Sequence, residues 1–145
     1  MTFELRPDIY ADHGVVTEPI ARGGRFCTGK PMDLALPDPL VFIVDHTDDH
    51  PPRGMEGISI PVWSSAFVSC LRGAGVANLE LFPAILRNPA GREWGDYFAV
   101  NIVGSDTTLL LYRPWLGTPR AHQAIIDALE RARPPEGWGI TIKQI

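Results

Sequence analysis

The chain has few cysteines, and none of them has metal-binding spacing. Cys27 and Cys70 are the only two in 145 residues, and both stand among apolar neighbours. A cysteine in such a context usually serves as a small buried side chain. The spacing C-x-x-C of zinc sites and redox motifs does not occur. We therefore expect no disulfide framework and no structural zinc.

Long apolar runs are also missing. The longest, residues 40–44 and 109–112, have the length of strands, whereas a membrane-spanning helix needs about 20 apolar residues. The first residues mix Glu4, Arg6 and Asp8 among apolar side chains, which is unlike the organisation of a secretory signal. These features predict a cytoplasmic protein that does not associate with a membrane.

Positive charge is scarce and scattered. The chain has 13 lysines and arginines against 17 aspartates and glutamates, which gives a net charge of -4. Nucleic-acid binders carry clustered basic side chains that contact phosphates, so we expect no nucleic-acid partner. A mildly acidic surface suits a basic protein partner.

Motifs for nucleophilic and nucleotide chemistry are absent as well: the sequence contains no G-x-S-x-G, Walker loop or G-x-G-x-x-G. One polar cluster contains Asp45, His46, Asp48, Asp49 and His50. The spacing of its two histidines is that of a helical zinc motif, but Pro51 and Pro52 oppose a helix there. Three interpretations stay open: a solvated acidic loop, the metal site of a small hydrolase, or an acidic contact surface for a basic partner.

The length and the 45% hydrophobic content predict one globular domain spanning residues 1–145. Glycines and prolines interrupt residues 1–38, which we expect to be irregular apart from a short strand around residues 15–17. Residues 40–145 form the predicted core. Its central strand is Leu40 to Val44, an apolar run of the kind buried on both faces of a sheet.

Two amphipathic helices follow from i, i+3, i+4, i+7 apolar spacing. The first carries Phe67, Cys70, Leu71 and Ala74, with Ser64 as N-cap and Gly73 or Gly75 as the end. The second carries Ile125, Ala128, Leu129 and Ala132, and we expect Thr118 to cap it with Pro119 in its first position. The two faces lie 58 residues apart. That spacing indicates either two copies of one unit or two unrelated amphipathic helices.

Strands are predicted over residues 79–86, 97–103, 106–112 and 140–145. Pro83 interrupts the first, which should therefore lie at a sheet edge or carry a bulge, because proline cannot donate to the ladder. Residues 88–96 form the predicted loop of a hairpin between the first two strands. The fold class is therefore α+β (mixed α/β), a mostly antiparallel or mixed sheet with two amphipathic helices packed on it.

Trp94 is the tryptophan that we expect to contact a partner. It stands in the predicted loop between Glu93 and Asp96, and an aromatic anchor with acidic neighbours suits a cationic surface. The predicted partner-binding residues are Asp45, Asp48, Asp49, Glu93, Trp94 and Asp96.

Two sequence stretches carry a resemblance to a known family. GVANLELFP (residues 75–83), after an amphipathic helix, and DYFAVNIVG (residues 96–104) resemble bacterial immunity proteins of polymorphic toxin systems. That family, first grouped as a domain of unknown function, includes a myxobacterial toxin and immunity pair. The resemblance covers residues 40–145, and its motif residues are structural: Gly75, Asn78, Pro83, Tyr97 and Asn101.

The resemblance implies a non-catalytic, cytoplasmic inhibitor that binds and neutralises a cognate toxin during bacterial competition. It implies no enzyme activity and no cofactor. Two alternatives remain beside it. One is a small metal-dependent hydrolase that uses His46, Asp48, Asp49 and His50, and the other is a regulatory binding module.

Overall fold

The computed structural model describes residues 2–7, 15–20, 26–47, 51–52, 55–56, 60–103, 110–112 and 119–144. Within these ranges the chain forms ten strands and two helices. In order they are β1 (Thr2–Pro7), β2 (Val15–Thr17), β3 (Leu40–Val44), β4 (Met55–Glu56), β5 (Val62–Ser64), α1 (Ser65–Gly73), β6 (Leu79–Arg87), β7 (Glu93–Ile102), β8 (Leu110–Tyr112), β9 (Pro119–His122), α2 (Gln123–Arg131) and β10 (Ile140–Gln144).

The strands form two sheets. One has six strands in the order β2-β3-β6-β7-β5-β4, and the other has four in the order β10-β1-β9-β8. Strands β3 and β6 pair in parallel, and the other named pairs are antiparallel. The predicted α+β class is confirmed, with two sheets instead of one.

The two sheets contain the same arrangement twice. In the first unit, β4-β5-α1-β6-β7, the strand order is β6-β7-β5-β4; in the second, β8-β9-α2-β10 with β1, it is β10-β1-β9-β8. Each helix has nine residues, begins directly after a strand, and starts 58 residues from the other. When β4, β5, β6 and β7 are matched with β8, β9, β10 and β1, the contact of β1 with β4 corresponds to the contact of β7 with β8. The contact between α1 and α2 corresponds to itself. The spacing of the two apolar faces therefore corresponds to two copies of one ββαββ topology.

Helix α1 matches its prediction. The Ser64 hydroxyl accepts a hydrogen bond from the Phe67 backbone N–H (3.2 Å), which caps one of the open donors of the first turn. The helix ends at Gly73, and Gly75 adopts the left-handed region (φ 98°) that lets the chain turn away. Phe67, Val68 and Leu71 are buried on the core face.

Helix α2 starts later than predicted. Pro119–His122 is strand β9, paired with β1 and β8, and the helix begins at Gln123. The N-cap prediction was wrong for this reason, since proline is compatible with the first residue of a strand as well as of a helix. Thr118 lies outside the described residues. The N-cap residue is His122, whose side chain makes no capping hydrogen bond.

Strands β6 and β7 form the predicted hairpin, but its connection is shorter than expected. The prediction of a loop over residues 88–96 was wrong from Glu93 onward, where β7 begins. Asn88 organises the turn: its Oδ1 accepts from the Arg92 backbone N–H (2.9 Å) and its Nδ2 donates to the His46 carbonyl (3.2 Å). These bonds let a compact turn replace the long loop.

Pro83 lies inside a sheet, beside a bulge. Strand β6 is interior, so its predicted edge position was wrong. A bulge does occur at the register shift between Ala84 and Leu86, but the extra residue belongs to the partner strand β7 and not to β6. The parallel partner β3 pairs with β6 only from Ala84 onward. Pro83 thus stands where β6 has no β3 partner, which explains why its missing donor is tolerated.

The N-terminal segment contributes more to the fold than predicted. The short strand Val15–Thr17 is confirmed, but β1 was missed, and it is an interior strand of the four-stranded sheet with Leu5 fully buried. Its alternation of apolar and charged residues is too short to distinguish from irregular chain. In the described part of the chain, neither nine-residue helix is long and apolar enough to cross a membrane.

Candidate functional site

An open groove of about 1040 Å³ lies where the two units meet. The first unit contributes the start of α1 and the start of β7, and the second contributes the segment after α2. The lining residues are 51–52, 64–66, 93–97, 132, 134 and 136–138. Both units and the loop before β4 therefore have to be folded for the groove to exist.

A bulge in β7 shapes one side of the groove. Ala84 pairs with Tyr97 and Leu86 pairs with Trp94, so Gly95 and Asp96 stand opposite Ile85 alone. Asp96 adopts the left-handed region (φ 62°), which aspartate tolerates better than most residues. The Ser65 hydroxyl donates to the Asp96 carbonyl (2.9 Å) and joins the bulge to the start of α1. The exposed Asp96 side chain is held at the groove by this geometry.

Two aromatic residues of the lining are held by hydrogen bonds. The Trp138 indole N–H donates to the Leu129 carbonyl (2.8 Å), and its ring meets Phe67 edge-on at 5.5 Å between centroids. Trp138 thus contacts both helices. The Tyr97 hydroxyl donates to the Pro52 carbonyl. These contacts order the walls before any ligand binds.

Trp94 is part of the core, contrary to the expectation that it stands free in a loop. It is 6% exposed, because β7 extends to Glu93 and the alternation of the strand directs Trp94 inward. Its ring meets His46 edge-on at 5.2 Å, and the Arg92 guanidinium carbon lies 5.2 Å from its centroid. The buried indole N–H has no acceptor among the described residues. Trp94 lines the groove as a wall and not as a protruding anchor.

Acidic side chains dominate the charge of the groove. Glu93, Asp96 and Glu136 are exposed lining residues, and none of the described residues that line it is lysine, arginine or histidine. Glu93 also pairs with Arg87 (3.4 Å), but both side chains are nearly half exposed, so water screens this pair. The groove presents a surface complementary to positive charge.

The sequence predicted Glu93 and Asp96 but missed Glu136 and Trp138. Glu136-Gly137-Trp138 repeats the composition of Glu93-Trp94-Gly95, and this recurrence was the signal that could have found them. The structure brings both triplets to one groove from opposite units.

The polar cluster after β3 is only partly described. Asp45 is exposed but does not line the groove, and His46 is fully buried. Asp48, Asp49 and His50 lie outside the described residues. Across the ranges that the structure does describe, no three histidine, cysteine, aspartate or glutamate side chains are grouped to hold a metal ion.

Both cysteines are free thiols with low reactivity. Burial raises the pKa of the Cys27 thiol to about 11, although a backbone hydrogen bond from Ile102 opposes part of the effect. Burial also raises the pKa of Cys70, against the attraction of Arg131 for the thiolate. Raised pKa values keep both groups protonated near neutral pH, so neither is an activated nucleophile.

The groove combines the groups that recognise a cation: carboxylates, aromatic faces and a water-accessible opening. Compared with known proteins, the chain matches no family model and no curated protein.

Proposed function

We propose that this protein is an immunity protein, which binds a cognate bacterial toxin in the cytoplasm and neutralises it without catalysis. The observation that carries the proposal is the open groove of about 1040 Å³ whose charged lining residues, Glu93, Asp96 and Glu136, are all acidic. The resemblance of residues 75–83 and 96–104 to immunity proteins supports the same function.

The mechanism is steric and electrostatic. A standard protein interface buries about 800 Å² per partner, which is more than the groove alone offers, so the groove forms its centre and the surrounding surface its rim. Acidic side chains steer a basic toxin surface into the encounter, and aromatic walls supply the desolvated contact area. The bound protein then covers the active site of the toxin or the path of its substrate.

Co-expression with the product of the neighbouring gene tests the proposal. We expect that product alone to arrest bacterial growth and the wild-type protein to restore it. Gly95→Arg places a cationic side chain in the groove. A Cβ at Gly95 meets no atom within 4 Å, so the variant is expected to fold. It should fail to protect.

Gly73→Arg is the matched control. It adds the same side chain at another glycine with no atom within 4 Å of the new Cβ, on the last residue of α1 and away from the groove lining. We expect full protection from this variant. A neighbouring product that is not toxic, or whose toxicity the wild-type protein leaves unchanged, contradicts the proposed function.

A further inference from the structure

We infer that the groove is a receptor for an extended, arginine-bearing segment of the partner, with a guanidinium held against its aromatic wall and paired with Asp96. The identity of the partner as a toxin rests on the proposed function. The chemistry of the occupant rests on the groove itself.

The charge of the groove favours a cationic occupant. Three carboxylates line the groove and no described cation does. Glu93 shares its charge with Arg87, whereas no hydrogen bond or ion pair to another described residue engages the Asp96 carboxylate. The Asp96 backbone is already held by Ser65. An incoming cation therefore meets an acceptor whose position is fixed in advance.

One tryptophan of the groove wall already contacts a guanidinium of the protein itself. Arg92, which does not line the groove, lies with its guanidinium carbon 5.2 Å from the centroid of Trp94. This is cation–π geometry. Arg92 therefore already occupies the ring of Trp94, which leaves the other lining tryptophan for an incoming guanidinium. Trp138 is a second lining tryptophan, and over its ring the described residues place no cation.

The size of the groove favours a peptide segment. A volume of about 1040 Å³ exceeds what one side chain fills and reaches the upper end of small-molecule pockets, roughly 300–1,000 Å³. A peptide segment fills such a volume and brings the cation with it.

The planar guanidinium fits these groups better than an ammonium. It stacks on aromatic faces while its edge donates to a carboxylate, and it is more weakly hydrated. We therefore expect arginine to be preferred over lysine in the groove.

The test uses the full chain labelled with ¹⁵N and a short probe, acetyl-Gly-Arg-Gly-Arg-Gly-amide. Binding should shift the Trp138 indole resonance and the backbone amides of Gly95, Asp96 and Tyr97. A probe with citrulline in place of arginine keeps the shape but lacks the charge. We expect it to bind at least about tenfold more weakly, because the charge-assisted contacts are lost.

Asp96→Asn is the informative variant, because asparagine also tolerates the left-handed region and the bulge should persist. Affinity for the arginine probe should fall roughly three- to fivefold, as for a partly exposed ion pair. Asp127→Asn removes the same charge from the exposed surface of α2, away from the groove, and should leave affinity unchanged.

The inference is overturned if the arginine probe causes no shifts at the groove, if the citrulline probe binds equally well, or if Asp127→Asn weakens binding as much as Asp96→Asn. Protection in the co-expression experiment without probe binding would reject this inference alone. Probe binding without protection would reject the toxin as partner and leave the arginine receptor standing.

Discussion

Asn101 holds residues 27–30 of the N-terminal segment against the six-stranded sheet. It is fully buried, its Oδ1 accepts from the Cys27 backbone N–H (2.7 Å), and its Nδ2 donates to the Lys30 carbonyl (3.0 Å) and to a Glu80 carboxylate oxygen (2.6 Å). The same oxygen of Glu80 accepts from the Met32 backbone N–H (2.7 Å). One side chain thus satisfies backbone groups of a segment that has little regular structure of its own.

Replacing Asn101 with alanine should lower the free energy of unfolding by about 2–4 kcal/mol, since it leaves the buried Cys27 N–H without an acceptor and removes one of the two donors to the half-buried Glu80 carboxylate. Urea unfolding followed by circular dichroism measures the loss. Gln144→Ala removes an exposed amide from β10 and should change stability by less than about 0.5 kcal/mol. A loss below about 1 kcal/mol for Asn101→Ala would contradict the role given to it.

The ionisation of Cys27 should lower the free energy of unfolding as the pH becomes alkaline. Its pKa is about 11 in the folded protein against an ordinary 9.0, so the unfolded chain loses the proton first. The stabilisation is complete below pH 9 and is lost as the pH rises toward 11, at a slope of about 1.4 kcal/mol per pH unit.

Free energies of unfolding obtained from urea titrations at pH 7 to 10.5 should therefore fall more for the wild type than for Cys27→Ala, by about 2 kcal/mol over the range. Comparing slopes cancels the titration of lysines and tyrosines, which the two proteins share. Parallel curves would show that the Cys27 thiol ionises equally easily in the folded and unfolded states.

At the scale of elements, equivalent positions of the two helices differ in how they are capped. Ser64 and His122 both precede a nine-residue helix with extended backbone (ψ 153° and 164°), but only Ser64 provides a side-chain acceptor. The first-turn donors of α2 are thus left without the bond that α1 has.

His122→Ser should raise the free energy of unfolding by about 0.5–1 kcal/mol, because it supplies the missing cap to a backbone already in the required conformation. Thermal unfolding detects the gain. His122→Ala removes the imidazole without adding an acceptor, and should give no increase. Equal behaviour of the two variants would show that the cap does not form.

Elements with a clear period were predictable, and those defined by long-range pairing were not. The spacing of Phe67 and Leu71 and the cap at Ser64 are local signals, as is the apolar run of β3. Strand β1 is defined by its neighbours β9 and β10, which lie more than a hundred residues away. The bulge at Asp96 and the meeting of Trp94 with Trp138 at one groove likewise depend on register and on the packing of two units, which local patterns do not contain.

At the scale of the whole molecule, the second ββαββ unit is not continuous in the sequence. The second unit takes its fifth strand, β1, from the beginning of the sequence, and Phe3 pairs with Gln144 in an antiparallel ladder. The two ends of the chain are therefore neighbours in the geometry of a hairpin, and the arrangement is that of two tandem units whose order has been shifted.

A circular permutant that joins Ile145 to Thr2 through Asn-Gly, without Met1, and opens between Val103 and Leu110 should fold, because Phe3 pairs with Gln144 and the dipeptide then forms the two-residue turn of a hairpin. Its strands would run as two consecutive units. We expect an unchanged circular dichroism spectrum and a stability within about 2 kcal/mol of the wild type. A permutant opened between Ala99 and Val100, in the middle of β7, should not fold. Failure of the first permutant would refute the equivalence of the units.

The position of the groove between the two units has a consequence for the lifetime of the protein. Since the groove needs both units, a partner bound there binds only the folded chain, and mass action then stabilises the fold by roughly 2.7 kcal/mol when the free partner is at a hundred times its dissociation constant. Proteases act on the unfolded fraction, which falls by about a hundredfold under the same condition. If the proposed partner binds there, a cell would thus accumulate this protein while the partner is present and clear it when the partner is gone.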